Sequence, residues 1–223
     1  METRLGLITL GDSITVGEGN MVCGVPCRSW ALWLAEALDL PFTSRAVNGA
    51  TTGEVLAAQL PTVRARYDVG CLYAGVNDAR GSDFDPVAFE TVLREIAAGL
   101  SARCARVLML TLPLDLGRPP AGGKVTAANA IVRAVAVEAG ATLCHLDDFG
   151  GWTRVLPDAV HPTALGQLEI ADRAAAALGL TRPPSQAVGA LPLGPRGRAS
   201  YARTHVLLLA RDLVRRRIET LRP

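Results

Sequence analysis

A serine, an aspartate and a histidine in this chain have the types and spacing that nucleophilic catalysis requires. Ser13 follows Gly11 and Asp12 at the end of a short apolar run, and Asp158 precedes His161 by three residues. Acyl transfer needs a hydroxyl nucleophile, a general base and a group that fixes the tautomer of the base. Because Asp158 and His161 share one turn, the carboxylate can reach one imidazole nitrogen while the other nitrogen faces Ser13.

Two further turns can supply donors for the negative charge that develops on a carbonyl oxygen during acyl transfer. Gly53 ends the turn-prone run of residues 48–53, and Asn77 lies in the Gly-Val-Asn-Asp run of residues 75–78. The pair formed by Gly53 and Asn77 is therefore the predicted source of oxyanion donors.

Two of these assignments have alternatives. Asp12 or Ser13 can simply cap the helix that follows, since both residue types are common N-caps. His145 competes for the role of base because Asp147 lies two residues further on. Its strand-like surroundings favour a buried structural histidine instead.

A regular alternation of strands and helices would bring the candidate residues to one edge of a sheet. Short apolar runs rich in branched residues end at or just before the three turns described above. Strands that alternate with helices of about 10–15 residues indicate an α/β domain with a parallel sheet covered on both faces. Ligands bind at the carboxyl ends of the strands in such sheets. The predicted strands are residues 7–10, 42–47, 69–74, 105–112 and 141–146, and the predicted helices are residues 29–38, 54–66, 85–102, 124–138 and 163–177.

The composition is that of a globular protein. Hydrophobic residues make up 49% of the 223 residues and charged residues 20%, and the net charge of +2 is too small to argue for nucleic acid. The chain starts without the apolar region and cleavage site of a signal peptide, and the apolar run of residues 206–210 is too short to span a bilayer. We therefore expect a cytoplasmic protein with reduced thiols.

Five cysteines are spread over the chain. Cys71, Cys104 and Cys144 lie in or next to predicted strands and are expected to be core residues. The spacing of Cys23 and Cys27 could close a small disulfide loop, and their redox state stays open. They lack the second pair or the neighbouring histidines of a zinc site, so no metal is expected.

The first 179 residues form one predicted domain, and the rest is an appendage. Residues 180–198 are rich in proline and glycine and predict a linker, and residues 199–223 predict a basic amphipathic helix. Eight arginines against two acidic residues give residues 196–223 a net charge of +6, whereas the remainder carries −4. This helix can lie on an anionic membrane surface, pack on its own domain or pair with a second copy, and we favour packing over the membrane. Its apolar stripe consists of Leu207, Ala210, Val214, Ile218 and Leu221.

Four short blocks resemble the GDSL family of serine esterases, also called the SGNH hydrolases, over about residues 5–178. The blocks are Gly11-Asp12-Ser13, the Asn-led turn that ends in Gly53, Gly75-Val76-Asn77-Asp78, and the Asp158-x-x-His161 turn followed by Pro162. Each block alone is weak evidence, but four in the right order are a strong signal. Ile14 replaces the leucine of the family name, which alters packing and leaves the chemistry untouched. The tail has no counterpart in the minimal family domain.

The resemblance implies a three-layer α/β/α sandwich with a five-stranded parallel sheet, the flavodoxin-like SGNH hydrolase fold. It also implies hydrolysis of a small-molecule carboxylic ester or thioester through an acyl-enzyme on Ser13, without a cofactor. His161 would act as the base and Asp158 would orient it. The backbone N–H groups of Ser13 and Gly53 and the side-chain amide of Asn77 would form the oxyanion hole.

Other functions share part of this pattern. An acyltransferase would use the same three catalytic residues, with an alcohol or amine in place of water. A binding module that kept the fold without the chemistry is disfavoured, because all five expected site residues are present. Nucleotide-binding glycine motifs and the G-x-S-x-G elbow of α/β-hydrolases are absent from the strand–helix junctions.

Overall fold

Five parallel strands form the centre of the structure. The computed structural model describes residues 3–188 and 194–220. Within them the strands are β1 (Leu7–Gly11), β2 (Phe42–Ser44), β3 (Tyr67–Tyr73), β4 (Cys104–Leu110) and β5 (Thr142–Cys144). They form one sheet in the order β2-β1-β3-β4-β5, and all neighbouring strands are parallel. All five residues of β1 are buried, which is why its sequence is a continuous apolar run rather than an alternating one.

Helices cover both faces of this sheet. In the described residues they are α1 (Ser13–Val16), α2 (Trp30–Ala37), α3 (Thr52–Glu54), α4 (Val76–Arg80), α5 (Pro86–Ser101), α6 (Gly123–Glu138), α7 (Ala164–Ala177), α8 (Ser185–Val188) and α9 (Pro195–Thr220). α2 packs against α7, and α5 packs against α6. The connection from β1 to β2 runs in the opposite direction across the sheet from the later ones, so right-handed crossovers put the two helix pairs on opposite faces. The predicted three-layer α/β/α fold is confirmed.

Four of the predicted helices match the structure to within one residue at either end. They correspond to α2, α5, α6 and α7. In three of these helices, the side chain of the N-cap residue fixes the first turn. Ser29, Asp85 and Thr163 each accept a hydrogen bond from a backbone N–H of the helix that follows.

The helix predicted over residues 54–66 is wrong in form. The structure has α3, then a π-helical turn over Val55–Gln59, then a 3₁₀ turn over Leu60–Thr62. Pro61 lacks the N–H that a continuing α-helix would use. Gln59, at the end of the π turn, bonds instead to the backbone of β1. A tertiary contact therefore overrides the local helical pattern here.

The two edge strands are shorter than predicted. β2 ends at Ser44 instead of residue 47, and β5 ends at Cys144 instead of residue 146. Beyond β2, the backbone N–H groups of Arg45 and Val47 still donate to carbonyls of β1, at 2.9 and 3.1 Å. The chain thus follows the sheet further than the regular strand does.

The C-terminal helix starts earlier than predicted and uses another face. α9 begins at Pro195 instead of residue 199, and α8 lies inside the predicted linker. Tyr201 is only 7% exposed, whereas Leu207, Ala210 and Val214 are exposed, so these stripe residues do not pack on the domain. The phenol of Tyr201 donates a hydrogen bond to the Trp152 carbonyl. The face of α9 that carries Tyr201 therefore packs on the domain.

Some residues of the C-terminal appendage lie outside the part of the chain that the structure describes. Residues 189–193 of the predicted linker and residues 221–223, which include Leu221 of the stripe, lie outside the described residues, as does the side chain of Ile218. Among the helices that the structure does describe, none combines the length and the apolar character needed to cross a bilayer.

Candidate active site

The turn after β1 presents Ser13 at the carboxyl edge of the sheet. A Cβ on Gly11 would come within 2.3 Å of the Tyr73 carbonyl oxygen in β3, so glycine is required there. Asp12 is the N-cap of α1, and its Oδ1 accepts a hydrogen bond from the Ile14 N–H at 3.0 Å. Because Asp12 does the capping, the Ser13 hydroxyl is available for another partner.

That partner is His161. Ser13 Oγ lies 3.0 Å from His161 Nε2, and Asp158 Oδ2 lies 2.7 Å from His161 Nδ1. A carboxylate can only accept, so the Nδ1 proton of His161 points at Asp158 and Nε2 is left to accept from the serine hydroxyl. The structure thus brings three of the sequence-predicted residues into one hydrogen-bonded line.

The segment that carries Asp158 and His161, residues 150–163, is named the His161 loop. It folds back on itself through hydrogen bonds from the Leu156 N–H to the His161 carbonyl and from the Thr163 N–H to the Arg154 carbonyl, both 2.8 Å. Asp158 Oδ1 accepts from the N–H groups of Val160 and His161 at 2.9 and 3.0 Å. One carboxylate oxygen therefore holds the turn while the other holds the imidazole.

Hydrogen bonding keeps Asp158 charged. Burial acts to raise the pKa of this carboxyl, but the bonds from the His161 ring and from the backbone N–H groups of Val160 and His161 outweigh it, so the pKa lies below its ordinary value. The Asp158 carboxylate is therefore ionised where it accepts from the His161 ring.

Asp12 behaves in the opposite way. Its side chain is 0% exposed, and its Oδ2 has no hydrogen-bond partner in the described part of the chain. Burial raises the pKa of Asp12 to about 7, although the Ile14 N–H and a positive charge on His161 favour the ionised form; the nearby charge of Asp78 adds to the rise. The residue before the candidate nucleophile is thus a second titratable group, which sequence inspection treats only as a helix cap.

Two buried glutamines, which sequence analysis missed, hold this turn from opposite faces of the sheet. Gln59 accepts from the Gly11 N–H and donates to the Gly11 carbonyl, both at 2.9 Å. Gln167 of α7 accepts from the Trp30 N–H at 2.9 Å and donates to the Ile14 carbonyl at 2.8 Å. The sequence shows only that a glutamine interrupts each apolar helical pattern, which does not predict the backbone groups that it binds.

The predicted oxyanion donors lie on two turns that are tied together. The Asn77 side-chain amide donates to the Ala50 carbonyl at 2.9 Å, which leaves its second N–H for another acceptor. Asp78 accepts from the N–H and the hydroxyl of Thr52 at 3.1 and 2.6 Å. Gly53 follows Thr52 in the first turn of α3, where backbone N–H groups have no partner within the helix.

Gly53 and Asn77 line one cavity of about 300 Å³, named the polar cavity. Its wall also contains Asp78, Asp83 and Asp85. Gly53 faces open space, since an added Cβ would meet only the Thr51 hydroxyl, at 3.8 Å. The arrangement can hold a polar, uncharged or positively charged part of a ligand.

The competing histidine is not buried. The side chain of His145 is 63% exposed, and its Nδ1 lies 3.7 Å from Asp147 Oδ2. The expectation of a buried structural histidine is therefore wrong, because β5 ends at Cys144 and the next residue already faces solvent. Asp147 also bonds to Arg133 and Thr111, which makes it part of a separate polar network.

None of the five cysteines forms a disulfide in the structure. Cys71, Cys104 and Cys144 are buried, as predicted, and Cys23 and Cys27 are half-buried free thiols. Among the described residues, no group of three or more His, Cys, Asp or Glu side chains is placed to hold a metal ion.

Comparison with known proteins identifies the family. The sequence profile of the GDSL-like lipase/acylhydrolase family matches residues 9–168. The chain belongs to this family. It is an esterase of the SGNH/GDSL type, as the four sequence blocks predicted, and the match ends before α8 and α9. No curated protein sequence matches the chain.

Solved structures share the fold at low sequence identity. An acetylxylan esterase from Geobacillus stearothermophilus is 18% identical with a TM-score of 0.64, and the alignment covers 80% of this chain and 96% of that chain. An α/β hydrolase enzyme from the metagenome of Lake Arreo, Spain, is 20% identical with a TM-score of 0.65, covering 82% and 98%. The protein TesA is 22% identical with a TM-score of 0.62, covering 78% and 98%.

Proposed function

We propose that this esterase hydrolyses a carboxylic ester, or a thioester, through an acyl-enzyme on Ser13. The observation that carries the proposal is the hydrogen-bonded line from the Ser13 hydroxyl through the His161 ring to the Asp158 carboxylate. Serine hydrolases of unrelated folds use the same order of nucleophile, base and orienting acid. Membership in the acylhydrolase family supports the reaction class independently.

The first half of the reaction forms the acyl-enzyme. Ser13 Oγ attacks the carbonyl carbon while its proton passes to His161 Nε2. The tetrahedral intermediate then collapses, the bond to the leaving alcohol or thiol breaks, and His161 returns the proton to that group. Asp158 stabilises the imidazolium in between.

The second half repeats these steps with water. His161 takes a proton from water, the hydroxide adds to the acyl carbon, and the carboxylic acid leaves as Ser13 recovers its proton. In both halves the oxyanion would be held by the backbone N–H groups of Ser13 and Gly53 and by the amide of Asn77. Two observations support this assignment. Helices α1 and α3 begin at Ser13 and Thr52, so backbone N–H groups are unpaired there. Gly53 and Asn77 also line the same cavity.

A short aryl ester tests the proposal. p-Nitrophenyl acetate should give a burst of nitrophenolate equal to the enzyme concentration, or steady turnover, and intact mass spectrometry of trapped enzyme should find one acetyl group on Ser13. Ser13→Ala should lower kcat by roughly 10⁶-fold, the loss seen when a serine hydrolase loses its nucleophile. Ser44→Ala, at the exposed end of β2, is the matched control and should behave as wild type.

The product distinguishes the alternatives. Free acetate is expected from a hydrolase, whereas acetyl transfer to an added alcohol or amine in preference to water would identify an acyltransferase. A folded wild-type protein that gives neither a burst nor turnover on any ester would be a binding module, and near-wild-type activity in Ser13→Ala would also contradict the assignment.

A further inference from the structure

α9 is an addition to the shared domain, and it rests on the loop that carries the candidate base. The family match ends at residue 168, and the three solved relatives leave about a fifth of this chain uncovered while being nearly fully covered themselves. Tyr201 Oη donates to the Trp152 carbonyl in the His161 loop at 2.7 Å, and the two rings lie 5.1 Å apart. His205 stacks at the edge of the Trp152 ring, 6.0 Å away. The helix is therefore docked next to His161 rather than at a remote surface.

Between α9 and the domain lies a cavity of about 230 Å³, named the α9 cavity. Its floor is the His161 loop, one wall is the segment that follows α1, and the other wall is α9. None of its described lining residues carries a charge. Its hydrocarbon surface comes from Met21, Val22, Leu156, Pro162, Tyr201 and Leu208.

The α9 cavity adjoins the catalytic line through the backbone. Pro162 directly follows His161, and the Leu156 N–H bonds to the His161 carbonyl. The opposite wall, residues 19–23, begins three residues after the end of α1, the helix that starts at Ser13. The chain neighbours of His161 therefore form one side of an uncharged, mostly apolar cavity, although Ser13 and His161 are not among its lining residues.

The polar cavity and the α9 cavity differ in what they can bind. Three aspartates line the polar cavity, whereas the α9 cavity offers hydrocarbon and only a few neutral polar groups, such as Asn20 and Thr204. Burying aliphatic groups is favourable there, while a hydroxyl-rich sugar would leave most of its groups without partners. An aliphatic chain is thus the ligand chemistry that fits.

We propose that the α9 cavity binds an aliphatic chain of the ester substrate and that α9 makes this esterase selective for such esters. The proposal rests on the proposed function at Ser13 and adds a substrate class to it. The chain can belong to the acyl group or to the alcohol, and the experiment separates these two sources.

Two substrate series test it on the full-length protein. p-Nitrophenyl esters from acetate to decanoate lengthen the acyl chain, and alkyl acetates from methyl to decyl lengthen the alcohol, all below their micellar concentrations. In one of the two series kcat/KM should rise by about fourfold per methylene until the cavity is filled. The series that rises identifies the source of the chain.

Neighbouring leucines of α9 provide a matched pair of variants. Leu208→Asp places a charge in the cavity wall and should flatten the rising series, with a loss at least tenfold larger for the long ester than for the shortest one. Leu208→Trp fills the cavity and should shift the optimum to a shorter chain. Leu207→Asp, at a residue that is 62% exposed on the same helix, should keep the wild-type slope.

Thiol alkylation gives a second measurement that does not depend on turnover. Cys23 and Cys27 line the α9 cavity, and the other three thiols are buried. In the Ser13→Ala protein, decanoate should slow iodoacetamide labelling of Cys23 or Cys27, acetate should not, and Leu208→Trp should abolish the protection. Peptide mass spectrometry reads the labelling of each thiol separately.

Failure of this proposal is distinguishable from failure of the proposed function. If acetate esters acylate Ser13 but neither series rises, or if the slope survives both Leu208 variants, the α9 cavity does not select the substrate. If no ester acylates Ser13, the proposed function fails, and the thiol measurement still decides whether the cavity binds an aliphatic chain. Absence of protection by decanoate overturns the cavity proposal.

Discussion

The two sides of the Ser13–His161 pair are built by different means. On the side of the polar cavity, side chains bond turn to turn: Asp78 holds Thr52, and Asn77 holds the Ala50 carbonyl. On the side of α9, the His161 loop is held mainly by its own backbone and by the aromatic contact with Tyr201. The polar side presents the proposed oxyanion donors, and α9 adds only an apolar surface to the loop that carries Asp158 and His161.

We expect this difference to separate the proposed chemistry from the proposed selectivity. The polar turns lie inside the family match, and α9 lies outside it. Charge stabilisation depends on donor positions to fractions of an ångström, so those turns tolerate little change. An apolar wall is non-directional and can be supplied by an added helix. Variants of the polar turns, and of Asp158 and His161 in the His161 loop, should therefore affect all substrates, whereas variants of α9 should affect stability and chain-length preference.

The largest expected effect comes from Asp158→Asn. The variant keeps the oxygen that accepts from Val160 and His161 but favours the wrong imidazole tautomer, so kcat/KM should fall by up to about 10⁴-fold for every ester. Stopped-flow acylation with p-nitrophenyl acetate measures it. Asp148→Asn, which removes an exposed ion pair with Arg173, is the control. A loss below tenfold would mean that Asp158 does not orient the base.

Asn77→Ala should have the next largest effect. Loss of one oxyanion donor should lower kcat by about 10²–10³-fold with little change in KM, equally for short and long esters. Steady-state kinetics on acetate and decanoate esters measure both parameters. A change confined to KM would show that Asn77 only binds substrate, and a chain-length-dependent loss would break the division between the two sides.

Asp12 lies between the two sides, and its burial should make stability depend on pH. Its pKa is 3.8 as the model-compound value and about 7 in the fold, so the folded state binds more protons than the unfolded chain between those values. The stabilisation is complete below about pH 4 and is lost as pH rises through about 7. Asp12→Asn keeps the capping oxygen and removes the titration.

The difference between the two proteins isolates this effect. Relative to wild type, Asp12→Asn should gain about 2.5 kcal/mol in free energy of unfolding as pH rises from 5 to 8, because about two pH units of this range lie below the folded-state pKa of about 7. Urea unfolding at several pH values measures it. Parallel stability curves for the two proteins would show that Asp12 does not change its charge in this range.

The smallest effect is expected on the α9 side. Tyr201→Phe removes the hydrogen bond to the Trp152 carbonyl and keeps the ring, which should cost about 1 kcal/mol and lower Tm by about 2–4 °C. Differential scanning calorimetry measures the shift, with Leu207→Asp as the surface control. A Tm loss above 10 °C would show that the helix is an integral part of the domain and not an added surface.

Short-range sequence features predicted the residues that the structure brings together at the candidate site. The Gly-Asp-Ser turn and the Asp-x-x-His turn each act over three or four residues, and caps such as Thr163 act on the next turn of backbone, so residue types alone identify them. The edge strands and the segment after Gly53 were predicted less well. The length of an edge strand depends on its pairing with the neighbouring strand, and Pro61 prevents the α-helix from continuing after Gly53.

The sequence by itself determined the α/β alternation, the order of the catalytic blocks and the candidate residues, since these follow from local periodicity and residue chemistry. Only the tertiary structure decided that Asp12 is buried with an unpartnered oxygen, that Gln59 and Gln167 hold the Ser13 turn, and that α9 docks by Tyr201. The bonds of Gln59, Gln167 and Tyr201 each join positions more than 40 residues apart in the chain. Periodicity shows that a face is apolar or that a polar group needs a bond, but the identity of the partner is set by how the layers pack.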